Sequence, residues 1–265
     1  MRMHNTKVSK TGMPYLHFGS GEPLVLIHGL GEVKEGWQSQ YELSEYYELI
    51  IPDLRGHGEH RSIEGISIEN FAKDVIELLD ELSIESAHIL GLSMGGAVAQ
   101  EIYRQAPGIC RSLILTCTFH YIPKRLGKLY MKFRESQIEE LTVAERRDIA
   151  AKKCLYSWKK ESLEKFAESY RPERNAFLAS GKACMEVNNL KLLPKIKVPT
   201  LVIAGQYDSV LPPWLQLWMH KLIPNSEFIV MRNTGHVPKF EAKDRFNRLV
   251  CNFINKHKKG FQESA

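Results

Sequence analysis

Chemistry in this sequence begins at Gly91-Leu92-Ser93-Met94-Gly95. This is a G-x-S-x-G pattern, in which a sharp strand-to-helix turn projects a serine hydroxyl from the top of a sheet. The apolar run 87–92 precedes it and the small residues Gly95, Gly96, Ala97 and Ala99 follow, so a helix could pack closely on that sheet. A serine hydroxyl is a poor nucleophile near neutral pH unless a base takes its proton, so a histidine is required. Among ten histidines, His236 in Asn233-Thr234-Gly235-His236 stands after the last predicted strand and before the final helix. That places it at the carboxyl edge of the sheet, where Ser93 also belongs. The imidazole needs an acid to hold its tautomer and to stabilise the cation it becomes. Asp208, in Gly205-Gln206-Tyr207-Asp208 directly after the run 200–204, supplies one. The segment after the strand 110–117 offers Thr118, Phe119 and His120 but no carboxylate.

Acyl transfer builds negative charge on a carbonyl oxygen, and backbone N–H groups held in place are the usual stabilisers. Met94, at a helix N-terminus after the serine, and Leu30, in His28-Gly29-Leu30-Gly31, are the candidate donors. Trp37, Phe119, His120, Trp158 and Trp214 are candidate walls of an apolar substrate pocket, though packing is the commoner role for any one of them. His28, His57 and Asp53 read as residues that hold their own turns.

These residues need a scaffold, and the hydrophobic rhythm provides one. Short apolar runs at 23–28, 47–52, 87–92, 110–117, 200–204 and 227–231 alternate with helical patterns, the signature of βαβ units and a parallel sheet. Helices are expected over 37–45, from a Ser67 cap to 82, from Ser93 to about 105, over 212–222 and over 239–257, with a frayed basic tail. Residues 121–190 carry amphipathic helical stretches and no convincing strand, which predicts a helical insertion.

At 265 residues and 30.4 kDa, one core with an inserted lobe is affordable. The net charge is +5, and it is localised: residues 121–190 hold 15 Lys+Arg against 10 Asp+Glu, leaving 21 against 21 elsewhere. Solvated helix faces explain such an excess most simply, with attraction of an anionic substrate as the sharper alternative. No basic stripe suggests nucleic acid, no run approaches the 18 apolar residues of a membrane span, and the start MRMHNTKVSK lacks a secretory core. Five scattered cysteines without C-x-x-C predict reduced thiols, no metal and a cytoplasmic setting.

Taken together, HGLG, DLRGHG, GLSMGG, GQYDSVLP and NTGH resemble the α/β-hydrolase superfamily, over nearly all of residues 21–257 outside the insertion. The likeness is to the branch of 3-oxoadipate enol-lactonases, carboxylesterases, cofactor-free haloperoxidases and carbon–carbon bond hydrolases. It implies a mostly parallel eight-stranded sheet flanked by helices, with residues 1–118 and 192–265 as the core and 119–191 as a helical cap. It also implies cofactor-free cleavage of a small ester or lactone on Ser93, Asp208 and His236, in a monomer or homodimer. Thioester hydrolysis, carbon–carbon cleavage and a triad-retaining ligand sensor are the alternatives. Epoxide hydrolases and dehalogenases of this fold place an aspartate where Ser93 stands.

Overall fold

The predicted apolar runs become six strands of a single sheet, joined by two N-terminal strands that no apolar run announced. The structure, a computed structural model, describes residues 5–258, without the side chains of residues 138 and 139. The expected frayed tail therefore lies mostly outside the described residues. The strands are β1 (Lys7–Val8), β2 (Pro14–Phe18), β3 (Glu22–Ile27), β4 (Tyr47–Pro52), β5 (Ala87–Leu92), β6 (Cys110–Thr116), β7 (Thr200–Gly205) and β8 (Ser226–Met231). They lie in the order β1-β2-β4-β3-β5-β6-β7-β8; β1 and β2 pair antiparallel, and every pairing from β4 to β8 is parallel. From β3 the chain goes first to β4 on one side and later to β5 on the other. The carboxyl ends of β3 and β5 thus flank a switch point, where open parallel sheets form crevices.

Helices α1 (Ile68–Glu81) and α2 (Met94–Gln105) cover one face. Ser67 Oγ caps α1 by accepting from Asn70 N at 3.1 Å, and Phe71, Val75, Leu78 and Leu79 point into the core. Four helices, α3 (Lys124–Glu140), α4 (Val143–Cys154), α5 (Lys160–Ser169) and α6 (Arg174–Glu186), occur between β6 and β7. Then follow α7 (Pro213–Leu222), α8 (Pro238–Glu241) and α9 (Lys243–His257). Among the described residues no helix is long and apolar enough to cross a membrane.

Two expected helices differ from the structure. Residues Lys34–Glu45 form a 3-10 helix, beginning before the predicted 37. Its buried side chains Lys34, Trp37, Gln40 and Leu43 recur every third residue, the period that a 3-10 helix aligns on one face. The final helix is broken at Ala242 (φ −141°), which separates α8 from α9. The break lets Glu241, at the end of α8, take backbone N–H groups from two other loops.

His28 links two loops at the sheet edge. Its Nδ1 bonds Gly29 O at 2.9 Å and its Nε2 accepts from Leu54 N at 3.1 Å, an arrangement only the neutral ring can make. Burial, aided by the Lys239 and Lys34 charges and opposed by the Gly29 bond, pushes its pKa down to about 4. A folded pKa below the unfolded value of about 6.5 means that the unfolded chain takes the proton first as pH falls. The stabilisation is complete above pH 6.5 and is lost as pH falls through about 4. We expect His28 to account for roughly 3 kcal/mol of lost unfolding free energy over that interval. Urea unfolding at several pH values checks this, since His28→Gln can still accept from Leu54 N–H and should show a drop smaller by that amount.

Candidate active site

One residue separates β5 from α2. Ser93 makes the turn with φ 54° and ψ −118°, a backbone region that side chains other than glycine occupy at a cost of about 1–3 kcal/mol. The turn is held from both sides. Ser93 N donates to Thr116 O at 3.0 Å, while Ser93 O accepts from Gly96 N at 2.9 Å and from Thr118 Oγ1 at 2.6 Å. Helix α2 then runs so close to the sheet that a Cβ on Gly95 would lie 2.6 Å from His28 O, and one on Gly96 2.5 Å from Thr118 Oγ1. Ser93 remains half-buried between the buried Leu92 and Met94, so it keeps some surface at the sheet edge.

Asp208 and His236 lie on the loops after β7 and β8, at the same edge. Asp208 Oδ2 is 2.7 Å from His236 Nδ1, and Asp208 Oδ1 accepts from Val210 N at 2.9 Å and Leu211 N at 2.8 Å. The carboxylate is thus fixed at both oxygens, and it orients the imidazole so that Nδ1 carries the proton and Nε2 the lone pair. Burial lowers the His236 pKa, but the charge and hydrogen bond of Asp208 more than offset it, leaving the ring above its ordinary value.

Both loops are tied to the end of α4. His236 N donates to Cys154 O at 2.6 Å, Ser209 Oγ to Lys153 O at 2.8 Å, and the Tyr156 and Tyr207 rings stack at 4.5 Å. Glu241 completes the knot: Oε1 accepts from Tyr156 N (2.8 Å) and Ser157 N (2.9 Å), and Oε2 from Gly235 N (2.6 Å).

The loop after β3 is held by a buried ion pair. Glu32 Oε2 takes Gly29 N at 3.0 Å and Lys239 Nζ at 3.1 Å, and the Lys239 ammonium sits 4.1 Å from the centroid of the Trp37 ring. Gly29 lies beside the serine, since a Cβ on it would be 3.4 Å from Ser93 Cβ. Met94, first residue of α2, has no intrahelical acceptor for its N–H. Among the described residues the Leu30 N–H has no acceptor either.

A model of the α/β hydrolase fold matches residues 22–243. The chain belongs to the α/β-hydrolase family. Lipase 1 of Psychrobacter immobilis is 30% identical, over 90% of this chain and 79% of the lipase. Non-heme chloroperoxidase CPO-A1 of Kitasatospora aureofaciens is 28% identical, over 91% and 95%. Among solved structures, a malate-bound thermophilic esterase from Thermogutta terrifontis superposes with a TM-score of 0.85 at 26% identity, over 97% of this chain and 99% of that one.

The aromatic residues singled out by sequence are not gathered in one place in this α/β-hydrolase. Trp37 is wholly buried in the core against Phe246, so it has no surface left for a ligand. Phe119 is almost fully buried. His120 is also sealed, edge-on to Trp218, with both ring nitrogens unpartnered and its pKa pushed by burial to about 4. Trp158 and Trp214 are each 60% exposed on the outside. Asp53 does hold its turn, accepting from Lys34 N, Lys34 Nζ and Glu59 N.

Sequence reasoning passed over Cys117. Its Sγ and the side-chain ligand atoms of Asp208 and His236 lie within 4.8 Å of one another. Such a trio could in principle hold a metal, but the donors are poorly prepared for one. Burial and the Asp208 charge push the Cys117 thiol far up, away from the thiolate a metal needs, and both Asp208 oxygens are already bonded. Glu241 was equally silent, because nothing in its local sequence announces a carboxylate that collects N–H groups.

The strained turn predicts a stability order. Ser93→Gly, which relaxes at positive φ, should unfold with about 1 kcal/mol more stability than Ser93→Ala, which keeps the Cβ. Thermal unfolding of the two variants checks this; equal stability would mean that the turn carries no strain.

Proposed function

We propose that this α/β-hydrolase cleaves a carboxylic ester or lactone through an acyl-enzyme, with Ser93 as nucleophile, His236 as base and Asp208 as the group that orients it. The observation that carries the reading is the 2.7 Å Asp208–His236 bond at the sheet edge where Ser93 stands at positive φ. In this scheme residues 1–118 and 192–265 form the catalytic core and 119–191 the cap over it. The lipase and esterase named among its relatives support the same class of bond.

The steps follow from the groups present. His236 Nε2 takes the Ser93 proton as Oγ attacks the substrate carbonyl, and the negative charge that develops on the carbonyl oxygen is met by the Met94 and Leu30 N–H groups. The imidazolium, stabilised by Asp208, returns its proton to the leaving alkoxide, and the ester C–O bond breaks. Water then repeats the sequence on the acyl-enzyme, with His236 as its base, and releases the acid. No step calls for a cofactor.

Steady-state hydrolysis of a panel of p-nitrophenyl esters and simple lactones tests this. Ser93→Ala should lower kcat by about 10³-fold or more, and retention of the wild-type rate would overturn the assignment. The acid limb of kcat/KM should lie above the usual imidazole pKa of about 6.5, because protonated His236 cannot act as base. In Asp208→Asn burial acts without the opposing charge, so the limb should move to lower pH while kcat falls by about 10³–10⁴-fold. A pH–rate profile that does not shift between wild type and Asp208→Asn would remove Asp208 from the mechanism.

A further inference from the structure

Helix α3 turns Gly127, Met131 and Arg134 inward. The first two suit an apolar seam with α6: a Cβ on Gly127 would meet Met185 Sδ at 2.9 Å, and one on Gly181 would meet Met131 Sδ at 3.0 Å. Arg134 does not suit such a seam. It is only 7% exposed, yet among the described residues no carboxylate bonds to it. Nη1 donates to Gln137 Oε1 at 2.9 Å, Nη2 has only a long contact with Tyr170 Oη at 3.4 Å, and Nε has no partner at all. The guanidinium also lies 4.9 Å from the Phe177 ring centroid, a contact that offsets only part of the cost of burying a cation.

Arg55 provides an internal comparison. It uses its Nε and Nη2 to hold Asp74 side-on, at 2.5 and 2.7 Å. The same edge of Arg134 holds no carboxylate: Nε is unpartnered and Nη2 has only the long Tyr170 contact. Two parallel N–H donors in one plane match the two oxygens of a carboxylate.

Its neighbours bring the guanidinium close to the loop after β3. Tyr170 and Phe177, which flank the guanidinium, also crowd Gly31: a Cβ there would be 2.7 Å from Tyr170 Cε2 and 3.3 Å from Phe177 Cδ2. Met131, one turn back on α3, shares the space beside Gly181 with Leu30 Cδ2, at 4.0 Å from the same Cβ position. Arg134 therefore shares its packing neighbours with the loop that carries Leu30. Cys154, whose carbonyl takes the His236 N–H, feels the Arg134 charge as well as those of Asp208 and Glu32.

We propose that the Nε–Nη2 edge of Arg134 receives a carboxylate carried by the substrate, so that the preferred esters or lactones bear an acid group remote from the bond that breaks. This rests on the hydrolase reading of Ser93, His236 and Asp208. In this role Arg134 is a specificity-determining residue and takes no part in proton transfer.

The test compares p-nitrophenyl monoesters of succinic, glutaric and adipic acids with the same compounds in which the free acid is a methyl ester. Wild type should favour the acid over its neutral twin by about 10–100-fold in kcat/KM at one or more lengths, the range expected for a charged hydrogen-bonded pair. Arg134→Gln should abolish that preference and leave the neutral diesters within about twofold, and Arg134→Lys should recover part of it. Absence of preference in wild type at every length would overturn the proposal without need of any variant. Equal losses on acid and neutral esters in Arg134→Gln would also overturn it, by assigning the residue a structural role. A binding measurement separates this from failure of the hydrolase reading. If no ester is turned over, calorimetry of glutaric monoamide against glutaramide decides: tighter binding of the acid that is lost in Arg134→Gln upholds the carboxylate site, and equal binding overturns it.

Discussion

Between the end of β5 and the start of α2 the chain has a single residue in which to change direction, and much of the carboxyl edge is arranged around it. A serine at φ 54° persists only when its neighbours over-determine it. Here a strand carbonyl, a helix N–H and a threonine hydroxyl all bond the Ser93 backbone. The close approach that the turn demands explains the glycines of α2 better than flexibility does. Gly95 leaves room for the β3 carbonyls and Gly96 for Thr118. Packing energy gained along β3, β5 and β6 offsets the local strain, and the hydroxyl stays partly exposed at the switch point of the sheet.

Buried charge organises the loops that face this turn. Lys239 is paired with Glu32, Lys34 with Asp53, and the Asp208 carboxylate with two backbone N–H groups and an imidazole. Each arrangement joins segments distant in sequence and holds a loop at the edge. Because removing one member would leave the other charge buried and uncompensated, each pair fixes geometry more firmly than its net contribution to stability implies. Glu241 extends the same logic to the insertion. One carboxylate accepts from residues 156, 157 and 235, so the end of α4 and the His236 loop are held in a common frame.

The parts of this architecture that were legible in the sequence are those written locally. Strands Tyr47–Pro52 and Ala87–Leu92, the Ser67 cap and the break at Gln105 all follow from hydrophobic period and cap chemistry. So do the positions of Ser93, Asp208 and His236 on loops that follow strands. What was not legible depends on partners far along the chain. Strand β1 is two exposed residues that exist as a strand only through β2, and β2 lacks a continuous apolar run because part of it lies against an exposed edge. The 3-10 character of Lys34–Glu45 was not legible, because Trp37 and Leu43 alone do not fix a period. The period of three emerges only when Lys34 and Gln40 are also known to be buried, and their burial depends on Asp53, Asn247 and Lys239. The placement of the aromatic residues is not written locally for a related reason: a tryptophan's type does not say whether it faces a core, a cavity or solvent.

The same distinction applies to charge. Residues 121–190 hold the whole +5 excess, and a count gives every lysine and arginine there equal weight. Most of those charges are exposed, where water and salt screen them. Arg134 is one charge among 15, but it is withdrawn from solvent and shares its packing neighbours with the Leu30 loop. At low dielectric a single unscreened cation exerts more control over a nearby anion than a larger number of hydrated ones. Whatever selectivity the insertion has for acidic molecules should therefore depend on where its buried charge sits and not on its net charge. Exposed lysines could change the rate of encounter with an anion, whereas the discrimination between acid and neutral ester belongs to the guanidinium edge.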